Sequence, residues 1–73
     1  MSQQNLSYVL KQGQKIPERY HPLEMRLSPV GTPEEVRKVL RAMKLQATLN
    51  GQEVIFRKSG LDYEIFYRDL KIE

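Results

Sequence analysis

Apolar residues alternate with polar ones toward both ends of this chain and recur at helical spacing in its middle, so the pattern predicts strands flanking one helix. Leu6, Tyr8 and Leu10 fall on one side of a first strand over about 6–11, and Gln12-Gly13-Gln14 ends it as a turn. Pro17 and Pro22 bias Ile16 and His21 away from helix, which makes IPERYHP an extended connector. Leu23, Met25 and Leu27 alternate with Glu24 and Arg26 in a second strand over about 23–27, closed by Ser28-Pro29-Val30-Gly31.

Thr32-Pro33-Glu34-Glu35 marks a helix start. Thr32 can cap the Glu35 N–H, Glu35 can reach back to the Thr32 N–H, and Pro33 takes the first helical position, where no donor is needed. Val36, Val39, Leu40 and Met43 form the apolar stripe of a helix of about twelve residues that ends near Lys44. From Leu45 the period changes to two, and Asn50-Gly51 predicts a type I′ hairpin pairing Leu49 with Gln52, Ala47 with Val54 and Leu45 with Phe56, with Leu45, Ala47 and Leu49 on the helix-facing side. A second two-residue turn at Ser59-Gly60 would oppose Phe56 to Tyr63, Val54 to Ile65 and Arg57 to Asp62.

The expected fold is thus α+β. One amphipathic helix packs on a four- or five-stranded, mainly antiparallel sheet in the order β-β-α-β-β-β, and residues 1–73 make a single small domain frayed over 1–5. Ile55 and Phe66 break the alternation and fall on the sheet face away from the helix.

Composition narrows the function classes. A chain of 73 residues buries only about 60% of its unfolded surface, and with no Cys it has neither disulfides nor a thiolate zinc site. No apolar run suits a signal peptide or a membrane span, which points to a soluble cytoplasmic protein with no membrane partner. The net charge of +3 is spread along the chain and specifies no partner.

His21 is the only histidine and lacks neighbours at metal-ligand spacing, and no phosphate-binding loop, dinucleotide glycine pattern or nucleophile motif occurs. No catalytic residue, metal or cofactor is assigned, and the chain is expected not to be an enzyme. A nuclease built on Glu53, Arg57, Glu64 and Arg68 is the weaker competitor, since charges across a sheet more often pair.

Two surfaces remain. Ile55 and Phe66, flanked by Arg57 and Arg68, have the composition of a protein-contact patch unless the N-terminal arm covers them. The first expectation is therefore a non-enzymatic accessory, regulatory or inhibitory protein with a protein partner. The alternative is nucleic-acid binding through the helix ridge Arg37, Lys38, Arg41 and Lys44, whose cations also suit the helix dipole without any ligand. A homodimer through the same sheet face or an edge strand is a third arrangement.

Overall fold

The computed structural model describes residues 8–70. Its elements are β1 (Val9–Leu10), β2 (His21–Leu27), α1 (Pro33–Leu49), β3 (Gln52–Ser59) and β4 (Asp62–Asp69). The α+β expectation holds, with one helix on a four-stranded sheet. The sheet is mixed, in the order β1-β3-β4-β2, because β1 runs parallel to β3 while β3–β4 and β4–β2 are antiparallel. Of the strand expected over 6–11, the described residues form β1 at Val9–Leu10; residues 6 and 7, and the segment 1–5 expected to fray, lie outside the described residues.

The helix starts as its sequence dictates. Glu35 N–H donates to Thr32 Oγ1 at 3.2 Å, and Thr32 N–H donates back to Glu35 Oε1 at 3.0 Å. Gly31 makes room for this box. It has φ +131°, and a Cβ on it would run into Glu35 Oε1.

The end of the helix differs from expectation. Residues 45–49 continue α1 instead of forming a strand, so two strands and not three follow the helix. Asn50 caps the end with φ −92°, and its N–H donates to Ala47 O and Gln46 O. A type I′ turn needs positive φ at both central residues. Here only Gly51 supplies it, at φ 79°, as the residue just past a helix end. The apolar stripe in fact runs on unbroken, since Ala47 follows Met43 by four residues and is buried with Leu40. Leu45 and Leu49, expected inside the sheet, point outward and are 60% and 80% exposed.

The β3–β4 hairpin does form, but its turn falls at Gly60-Leu61, with Ser59 opposite Asp62. Relative to the expected register, partners move by two residues: Phe56 meets Ile65, Val54 meets Tyr67, and Arg57 meets Glu64 instead of Asp62. A shift of two preserves which face each side chain occupies. Val54, Phe56 and Ile65 therefore still face the helix, where they join Leu40 and Ala47 in the core.

Strand β2 begins at His21, so Pro22 belongs to an edge strand and not to the connector. An edge tolerates the missing donor. β1 and β2 occupy opposite edges, and the segment joining them crosses the sheet on the face away from the helix. Gly13, at φ 80°, turns the chain out of β1, with Gln14 N–H donating to Lys11 O at 3.0 Å.

Candidate nucleic-acid interface

On the outer face of the β3–β4 hairpin, three cross-strand pairs lie in a row: Glu53 with Arg68, Ile55 with Phe66, and Arg57 with Glu64. The two outer pairs are ionic. Arg57 Nε donates to Glu64 Oε1 at 2.7 Å, and Arg68 Nη2 and Nε donate to Glu53 Oε1 at 2.9 and 3.1 Å. Glu64 is also approached by Arg26 at 3.8 Å.

The apolar pair between them is covered. Arg57 Nη1 donates to the Gln14 carbonyl at 2.9 Å, and the Arg68 guanidinium lies 5.6 Å from the centre of the Tyr20 ring. These contacts hold the crossing segment at both ends, and Ile16, between them, is half-buried. Arg57 itself lies over the Phe66 ring at 5.3 Å. Ile55 is left only 6% exposed and Phe66 is half-buried.

The Ile55–Phe66 patch is therefore a second, smaller layer of apolar packing and not an open docking surface. The Glu53 carboxylate, and after it the Tyr20 hydroxyl, raise the Arg68 pKa above its ordinary value. Both arginines of the patch are thus engaged within the fold, as are the carboxylates that a nuclease at this face would need.

His21 is exposed and lies beside Tyr67, with ring centres 5.7 Å apart. Among the described residues, no group of three or more His, Cys, Asp or Glu side chains is placed to hold a metal. Nor is any helix there long and apolar enough to cross a membrane.

The helix ridge is arranged differently. Lys38 and Arg41 are exposed, and Arg37 and Lys44 are half-buried on the flank of α1 that faces β1. Lys44 Nζ lies 5.4 Å from the centre of the Tyr8 ring. Arg37 stands between two hollows. One, of about 330 Å³, is shared with Val9, Lys58 and Tyr63 at the helix start, and the other, of about 270 Å³, lies among Glu34, Lys38 and Arg41.

Lys58 joins this wall from the sheet, with Nζ 4.9 Å from the centre of the Tyr63 ring. Sequence reasoning missed it, although its position one residue beyond Arg57, near the hairpin turn, places it beside the helix start once α1 lies over β3. Among the described residues, no carboxylate lies within ion-pair distance of Arg37, Lys38, Arg41, Lys44 or Lys58. Glu34 is the acidic group lining the second hollow, at the helix start where the dipole favours it. In comparisons with known proteins, no family model, curated protein or solved structure matches this chain.

Proposed function

We propose that this is a small non-enzymatic binding protein whose partner is nucleic acid, held through its phosphates by Arg37, Lys38, Arg41, Lys44 and Lys58. The observation that carries the proposal is the division of the cations. Arg57 and Arg68 are committed to carboxylates within the fold, whereas no ion pair among the described residues engages the five on the helix flank and adjoining sheet. No such pair engages Lys11, Lys15 or Arg19 either, but these are strung along the N-terminal segment instead of gathered beside one helix. Surface lysines and arginines left unpaired beside shallow hollows can exchange counterions for phosphate, which favours binding without any base contact.

The contacts proposed are to phosphates, which hold a nucleic acid without reading its sequence. The protein-contact role expected for Ile55 and Phe66 lacks an open surface, because Ile55 is buried. A regulatory or accessory role in the cytoplasm is compatible with a Cys-free chain that binds its partner through charge.

The test is fluorescence anisotropy with a labelled oligonucleotide at low salt, comparing wild type with Arg37→Gln/Arg41→Gln. The double variant should lose at least tenfold in affinity at an unchanged melting temperature. Equal affinity of the two proteins, or no binding by wild type, would refute the proposal.

A further inference from the structure

The two edges of the sheet differ. β1 offers two residues, whereas β2 offers seven, of which all but Leu27 are exposed. Leu23 and Met25 are 39% and 56% exposed on this edge. Such a strand invites pairing with another chain unless something blocks it.

Three features discourage indiscriminate pairing: Pro22 removes a donor, the register against β4 is irregular between Pro22 and Arg26, and Glu24 and Arg26 place charges on the edge. The last of these has a second consequence. Leu23-Glu24-Met25-Arg26-Leu27 is self-complementary about its centre. When two copies run antiparallel with Met25 opposite Met25, each Glu24 faces Arg26 of the second copy and each Leu23 faces its Leu27. Opposite charges and apolar pairs directly across an antiparallel ladder stabilise it, and like charges there destabilise it. Centring the pair on Glu24 instead would set two glutamates face to face.

We propose that β2 is a homodimerisation strand, pairing antiparallel with β2 of a second copy in the register centred on Met25. The occupant is a second copy because the charge pattern is complementary to itself. Arg26 is available for this role, since its contact with Glu64 is long at 3.8 Å and its side chain remains 57% exposed. Two four-stranded sheets then become one continuous sheet, closing the long edge of each. A single strand pair buries less than a standard interface, so the dimer is weak and depends on protein concentration.

Two experiments on the full chain test this register. The sequence contains no Cys, so Met25→Cys introduces the only thiol. Directly opposed residues in an antiparallel pair have Cα atoms about 4.5–5.5 Å apart, within the span of a disulfide. Mild oxidation should link this variant into dimers and leave Val30→Cys, at a site 93% exposed outside the strand, largely unlinked.

In sedimentation over a concentration series, wild type should dimerise and Glu24→Arg and Arg26→Glu should each stay monomeric. An equimolar mixture of the two variants should regain the dimer, because both cross-strand pairs become opposite in charge again. That rescue separates register from any loss of fold in the single variants. A monomeric wild type, dimers in either single variant, or a mixture that stays monomeric would overturn the proposal. None of these substitutions touches the helix ridge, so the outcome is independent of phosphate binding.

Discussion

Ile55 and Phe56 are adjacent on β3, and each is buried on a different face of the sheet. Phe56 lies under the helix with Leu40 and Ile65, while Ile55 packs beside Phe66 beneath the crossing segment. Truncating a buried isoleucine costs about 2–5 kcal/mol, part of it from the cavity left behind. Ile55→Ala should therefore lower the urea midpoint sharply, whereas Leu61→Ala, at an 86% exposed turn position, should change stability by less than about 0.5 kcal/mol. A neutral Ile55→Ala would show that the crossing segment does not cover this face in solution. The sequence did place Ile55 and Phe66 together on the face away from the helix. It could not reveal their cover, because that depends on the Gln14 carbonyl and the Tyr20 ring meeting arginines more than forty residues away, and no local pattern encodes such contacts.

Within α1, the N-terminus and C-terminus were unequally legible. Thr32, Pro33 and Glu35 each have a distinct role at a helix start, and all three adopt it. Removing the cap oxygen costs about 1 kcal/mol, so Thr32→Ala should lower the melting temperature of a domain this size by about 4–8 °C. An unchanged melting temperature would mean that the box contributes nothing to folding. Asn50-Gly51 was ambiguous, since a glycine at positive φ serves a hairpin turn and a helix end alike. Alternation of Leu45, Ala47 and Leu49 favoured the strand, yet only Ala47 of the three is buried. The better signal was Val36, Leu40, Met43 and Ala47, which keeps helical spacing through the disputed segment with no Gly or Pro before Asn50. For the β3–β4 hairpin, locating the turn one residue early moved every partner by two and left the faces intact, which is why the core was identified despite the wrong pairs.

At the scale of the whole molecule, the order β1-β3-β4-β2 sends the N-terminal segment over one face and α1 over the other. Hydrophobic periodicity assigns residues to faces but does not choose between strand neighbours, so the parallel β1–β3 pairing and the crossing were not legible. That arrangement decides which cations are paired with carboxylates. The outer-face carboxylates engage Arg57 and Arg68, while among the described residues no ion pair engages Arg37, Lys38, Arg41 and Lys44 along α1 or Lys58 beside it. Phosphate binding by this wall should release counterions, and each phosphate contact contributes a log–log salt slope of about −0.7 for single strands or −0.9 for duplex DNA. The most direct measurement is the affinity of wild type for a labelled single strand across a salt series, alongside Arg37→Gln/Arg41→Gln. The prediction is a linear loss of affinity with log salt and a slope shallower by about 1.4 in the double variant. Affinity insensitive to salt, or the same slope in both proteins, would contradict the account.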